Sequence, residues 1–359
     1  MPRYKSDRVT LRDIAEQVEV SVMTVSRALS GRDKLVRPET ARRIRRAAAE
    51  LGYVPNLAAR SLRGEQLPTL AMFAEYISSH HYLAELVDRT ARAIEARKYG
   101  VICCQSVTGL VQALQEYHLS GAVIIAPPES LLYDETGHPA SAIPVRTPIV
   151  VLHSAIEQAI YHEVSPDIEQ MAYLAAAHLL DLGHRHLGYL GGPAPELEPH
   201  WFSLRRAGLT RAFRERGLSH QSIAFQPCAD VELAEGALQQ LVRRSPPVTG
   251  VLCINDELAV AAAAGAARLG MRVPQDVSIV GSNDVRWARY FCPRPTTIGI
   301  DVRALVESGL NLLFDALHGR LPEAESGPMK IKLAPELILG ESSGPPPPPT
   351  PHPLDSAAL

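Results

Sequence analysis

Val22, Met23, Ser26 and Arg27 lie at i, i+1, i+4 and i+5 in the run between Ser21 and Gly31. On a helix that spacing gathers all four on one face and leaves Val25, Ala28 and Leu29 on the other. Two apolar side chains at the exposed start of a helix suit water poorly. They suit the DNA major groove, where thymine methyls would meet Val22 and Met23 and guanine would offer two acceptors to Arg27. The alternative is that Val22 and Met23 pack against the third helix or against the rest of the chain.

The elements that must position this face are legible around it. Thr10-Leu11-Arg12-Asp13 is a capping box, a hydroxyl at the N-cap followed three residues on by a carboxylate. Behind it Leu11, Ile14, Ala15 and Val18 share a face. After a break at Glu19-Val20, Ser21 caps a second helix predicted to run through Ser30, with Gly31 as its stop. A third helix is expected from Pro38 to Leu51, with Ile44, Ala47, Ala48 and Leu51 on its closing face. Its outer face carries Arg42, Arg43, Arg45 and Arg46, read as a solvated charge run with some phosphate contact. Two short helices joined by a tight turn make a helix-turn-helix unit. Charge agrees: residues 1–64 hold 14 Lys+Arg and 7 Asp+Glu, or +7, while the other 295 residues carry −10 within a total of −3.

The run Val20-Ser21-Val22-Met23-Thr24-Val25-Ser26-Arg27-Ala28-Leu29 resembles the helix-turn-helix of the lactose/galactose-repressor (LacI–GalR) family. Arg37-Pro38-Glu39-Thr40 and Leu51-Gly52-Tyr53-Val54-Pro55-Asn56 are similar to that family's third helix and its exit. The resemblance implies DNA contacts from Thr10, Ser21, Val22, Met23, Thr24, Ser26, Arg27, Tyr53 and Asn56. It also implies a hinge helix over Leu57-Ala58-Ala59-Arg60-Ser61-Leu62-Arg63. There Ala59, Leu62 and Arg63 would meet the minor groove, with Leu62 wedged into a base step. Seven helix-forming residues fall below the roughly 12–15 at which isolated helices become marginal, so this segment would fold only against DNA and a second protomer. The plain alternative is a linker.

From Leu67 onward, strand-like runs alternate with helical stretches, the rhythm of parallel α/β sheets. The expected fold is therefore a small all-α head plus an α/β body of two doubly wound lobes, periplasmic-binding-protein-like. The boundaries are 1–54 for the head, 55–65 for the hinge, 66–343 for the effector-binding and dimerisation domain, and 344–359 for a disordered Pro-rich tail. The N-lobe is expected over about 66–160 and 296–326, and the C-lobe over about 161–295 and 327–343. Crossovers would fall near 153–166, 291–300 and 326–329.

Such lobes bind ligands in the crevice beyond the carboxyl ends of their strands. The resemblance assigns that role to Tyr82, His153, Asp167, Arg205, Asn255, Asp256 and Asn283. Arg205 stands in an Arg-x-x-Gly (205–208) and offers a planar fork to a carboxylate or to sugar hydroxyls. The others have local alternatives, since Asn and Asp also cap helices and a lone Tyr or His is as often satisfied structure. Gly281-Ser282-Asn283-Asp284 lacks the aromatic and one carboxylate of the family's usual pattern, and Val231 stands where some members stack an aromatic. Val285–Phe291 resembles a purine-responsive branch, but 199–201 lacks that branch's pocket residues. The effector is thus open between a sugar, an acid and no ligand.

The excluded classes are equally specific. No apolar run approaches the length of a membrane helix, and the basic N-terminus does not lead into a signal peptide. Five cysteines without a CxxC pair argue against a disulfide framework or zinc module. Neither a phosphate loop nor GxSxG points to an enzyme. The expectation is a cytoplasmic homodimer without metal or cofactor. It would bind double-stranded DNA at a palindromic operator and answer to a small-molecule effector. The alternative is a regulator whose body answers to a protein partner or to no ligand.

Overall fold

The structure is a computed structural model that describes residues 9–29, 36–53, 67–75, 80–117, 119–128, 131, 147–154, 160–192, 199–321 and 327–348. The chain divides into two compact units, residues 1–67 and 68–359.

The first unit holds α1 (Leu11–Val18), α2 (Val22–Leu29) and α3 (Pro38–Glu50). The expected capping box closes reciprocally. The Thr10 N–H donates to Asp13 Oδ2 at 2.7 Å and the Asp13 N–H to Thr10 Oγ1 at 3.4 Å. Glu19 ends α1 in the left-handed region. Ser21 Oγ then accepts from the Thr24 N–H at 3.1 Å and starts α2. Ile14, Val18, Val25, Ala28, Ile44 and Ala48 close a small core. Arg43 donates to the Val18 carbonyl at 3.2 Å and Arg46 pairs with Glu50 at 2.8 Å. Arg43 and Arg46, two members of the run read as a solvated charge face with some phosphate contact, are therefore engaged within the head.

The second unit contains two parallel sheets. The N-lobe sheet orders as β11 (Lys330–Leu333), β5 (His162–Pro166), β4 (Ile149–Leu152), β3 (Leu119–Ile125), β1 (Leu67–Ala74) and β2 (Gly100–Cys104). The C-lobe sheet orders as β12 (Glu336–Ile338), β10 (Thr296–Gly299), β9 (Ser278–Ser282), β8 (Gly250–Cys253), β6 (Leu187–Leu190) and β7 (Ile223–Gln226), with β12 antiparallel to β10. Interior strands such as β3, β4 and β8 are buried along their whole length. Helices on both faces of a parallel sheet produce that pattern. The N-lobe is covered by α4 (His81–Ala96), α5 (Val107–Glu116) and α10 (Val302–Leu317). The C-lobe is covered by α6 (Ile168–Asp181), α7 (His200–Glu215), α8 (Ala234–Val242) and α9 (Asp256–Arg268).

The lobe boundaries differ from those expected. β5 and β11 belong to the N-lobe sheet and β10 to the C-lobe sheet, so the chain crosses at 166–168, 299–302 and 333–336 rather than near 153–166, 291–300 and 326–329. β5 reads His-Glu-Val-Ser-Pro and β11 reads Lys-Ile-Lys-Leu; neither is an apolar run, and each is recognised as a strand only by its pairing. Gly344, expected to open a disordered tail, is also held. Its carbonyl accepts from Ser278 Oγ at 3.0 Å and lies 2.9 Å from His184 Nε2, and its N–H donates back to Ser278. Residues 349–359 lie outside the described residues.

Candidate DNA-reading face and effector cleft

On α2 the burial divides as the spacing demands. Val25 and Ala28 are buried, while Val22 is 43% and Met23 63% exposed. The alternative in which both pack within the head is therefore not what its core adopts. Thr10, Ser21 and Arg27 are exposed, and Thr24, Ser26 and Tyr53 are half-buried. Asn56, Ala59, Leu62 and Arg63 lie outside the described residues. Two apolar side chains held at the start of a capped helix, beside Arg27, match a base-reading face. Replacing Val22 or Met23 by Ala or Gln should change the preferred operator bases without unfolding the head, because neither side chain is in its core. Binding-site selection measures this, and an unaltered preferred sequence would refute the base-reading role.

In the body every candidate effector residue follows the carboxyl end of a strand or stands on the helix after one. Arg205 is on α7, and its position depends on Gly208. A Cβ there would collide with the Glu169 carbonyl oxygen, so only glycine lets α7 cross α6 this closely. Arg205 is 8% exposed, and its Nε has no hydrogen-bond partner; the Tyr189 hydroxyl, also buried, lies close enough for the guanidinium to act on it. A buried donor left unpaired costs about 1–3 kcal/mol, so such groups concentrate where a ligand supplies the partner.

Tyr82, at the start of α4, places its hydroxyl 3.2 Å from His153 Nδ1, with the rings 4.7 Å apart. His153 follows β4 in the left-handed region, at φ +54°. Burial, reinforced by the Arg205 charge, pushes His153 down to about 4, so its imidazole is neutral at neutral pH. Burial likewise pushes the Tyr82 phenol well above its usual range. Tyr82, His153 and Arg205 thus form one uncharged-plus-guanidinium group across the two lobes.

The acidic and amide candidates divide differently. Asp167 accepts from the Gln170 N–H at 3.0 Å and Asn255 from the Leu258 N–H at 2.9 Å, so both cap the helices they precede. Asp256 has another task. It is fully buried, accepting from Thr297 Oγ1 at 2.6 Å and from the Val285 N–H at 2.8 Å. With both oxygens occupied it leaves the effector-contact set and instead pins the turn that carries Asn283. Burial raises its pKa to about 7. Asn283 and Asp284 both have positive φ, at +94° and +53°. Asn283 lines a cavity of about 280 Å³ between the lobes.

Sequence reasoning missed a second contact across the lobes. The His81 N–H donates to Glu257 Oε1 at 3.0 Å, and the His81 ring lies 5.1 Å from that of Trp287. Glu257 and Trp287 are legible in the sequence only as parts of matching runs, because nothing in their spacing pairs them with His81.

A capped three-helix head with an apolar and basic reading face, and two doubly wound lobes with buried polar groups at their strand ends, define a class: DNA-binding proteins with a ligand-binding body. Residues 10–56 match the bacterial regulatory proteins of the lacI family, and residues 176–343 match a periplasmic binding protein-like domain. The chain belongs to the lacI family, whose members are DNA-binding transcriptional repressors with an effector-binding domain and not enzymes. The HTH-type transcriptional repressor PurR of Klebsiella pneumoniae is 28% identical over 341 residues, covering 92% of this chain and 95% of its own. The PurR repressor of Escherichia coli O1:K1 is 29% identical over the same extent. The Lac repressor dimer bound to operator and the anti-inducer ONPF shares the fold with a TM-score of 0.78 at 22% identity, covering 94% of this chain and 100% of that one. The CelR–cellobiose complex does so at 0.64 and 24%, covering 93% and 100%. Among the described residues no helix is long and apolar enough to cross a membrane.

Proposed function

We propose that the protein acts in the cytoplasm as a dimeric repressor on a palindromic operator, and that a small molecule held between the lobes controls its DNA affinity. A sugar or related metabolite is the ligand class this reading favours. The observation that carries it is Arg205, a buried guanidinium with an unpaired Nε beside the buried Tyr189 hydroxyl. These groups can grip a hydroxylated or carboxylated ligand at once, without moving. At the other end of the chain, Val22, Met23 and Arg27 read the major groove while Leu62 wedges a minor-groove step. Two heads on one dimer match a two-fold symmetric site.

The hinge part is tested by Leu62→Ala. Losing an apolar wedge removes the stabilisation that kinking a specific step provides, and nonspecific DNA offers none to remove. Operator affinity should fall by about tenfold or more while nonspecific affinity stays within about twofold. Fluorescence anisotropy on both duplexes at one salt concentration measures the ratio. An equal loss on both would remove the wedge from the mechanism.

A further inference from the structure

The 280 Å³ cavity at the second crossover is lined by four arginines: Arg89 of α4, Arg303 at the start of α10, and Arg286 and Arg289 from the segment after β9. Its three carboxylates are already engaged. Glu85 pairs with Arg89 at 2.7 Å, Asp284 with Arg289, and Asp301 caps α10 by accepting from the Arg303 and Ala304 N–H groups at 2.8 and 3.1 Å. Arg286 and Arg303 have no carboxylate partner among the described residues. The remaining lining comes from Asn283, Ile300 and Val302. This positive cluster sits in the part of the chain whose net charge is −10, so it runs against the general charge of the body.

We propose that this cavity is a binding site for a small multivalent anion, a phosphate or polycarboxylate, that bridges the two lobes at their crossover. Guanidinium forks match phosphate and carboxylate oxygens in paired hydrogen bonds, and a multivalent anion is required to engage more than one fork. Like charges lining one small cavity repel, and an anion between them converts that repulsion into attraction. Arg89 and Arg303 belong to the N-lobe, Arg286 and Arg289 to the C-lobe, so an occupant ties the lobes together. Asn283 adds an amide donor from the strained turn that Asp256 holds in place. Of the effector candidates this site shares only Asn283; it does not involve Arg205, Tyr82 or His153, and it stands whether or not they hold an effector.

The test is calorimetric titration of the full chain with citrate, pyrophosphate and inorganic phosphate, at an ionic strength held constant with sodium chloride. Saturable binding of one anion per chain is expected. It should weaken by about tenfold or more in Arg286→Ala/Arg303→Ala, and by a smaller factor in Arg286→Gln alone. Both changes fall on exposed side chains, and circular dichroism verifies folding. Arg205→Ala should leave this binding unchanged. Preference for pyrophosphate or phosphate over citrate marks a phosphorylated ligand, and the reverse marks a polycarboxylate; either supports the site. No heat beyond that of chloride, equal binding by folded Arg286→Ala/Arg303→Ala, or loss of binding in Arg205→Ala would overturn it.

Discussion

Arg205→Ala is expected to abolish the effector response while leaving operator affinity and fold intact. The guanidinium is buried and its Nε bonds to no group of the protein, so truncating it orphans no partner of that nitrogen. What is lost is the charge-assisted pair that a carboxylate or hydroxylated ligand would accept. At about 1.5–3 kcal/mol for each such bond, losing two weakens the ligand by roughly a hundredfold or more. Arg205→Lys should not rescue it, because an ammonium cannot reproduce the planar fork. Operator titrations with and without the effector, chosen from a thermal-shift screen of sugars and small acids, measure the outcome. A variant that still responds would place the ligand elsewhere.

The second large effect is expected at Asp256. Asp256→Ala leaves the Val285 N–H and the Thr297 hydroxyl buried without an acceptor, which destabilises the body by about 2–5 kcal/mol. Asp256→Asn should be nearly neutral at low pH. Its amide oxygen can accept from Val285 while its N–H donates to Thr297 Oγ1, whose hydroxyl can serve as acceptor. The pH dependence separates wild type from Asn. The folded pKa of Asp256, about 7, lies above the ordinary carboxylate value of 3.8, so the folded state binds the extra proton. That contribution is complete below 3.8 and is lost as pH rises through about 7. His153 has the opposite sign. With its pKa lowered to about 4, its contribution is present above 6.5 and lost as pH falls through about 4. The stability of Asp256→Asn relative to wild type should therefore increase as pH rises through about 7. Urea denaturation midpoints at several pH values report this, and a pH-independent difference would show that Asp256 does not titrate in the fold.

The head is almost fully legible in the sequence because its signals are local. The capping box at Thr10, the Ser21 cap, the spacing of Val25 and Ala28, and the exposed pair Val22–Met23 all lie within one or two helical turns, and the head forms α1 to α3 where they predict. The arginines of α3 are less so. Arg43 reaches a carbonyl 25 residues away, and no periodicity encodes that bond.

In the body, sequence pattern alone is enough for two doubly wound lobes and for a candidate residue at nearly every strand end, since apolar runs and caps repeat at short range. It misassigns β5, β10 and β11, whose polar or short segments become strands only through pairing with other segments of the sheet. It can name Asp256 but not its task, because Thr297 and Val285 approach only when β9, β10 and α9 pack together. The same holds for Arg205 beside Tyr189, His81 on Glu257, and four arginines around one cavity. Most elements, and the chemistries they carry, are legible along the chain because propensity, capping and periodicity act over a few residues. Which side chains from distant segments end up paired, and which stay unpaired, depends on long-range packing and emerges only in the folded chain.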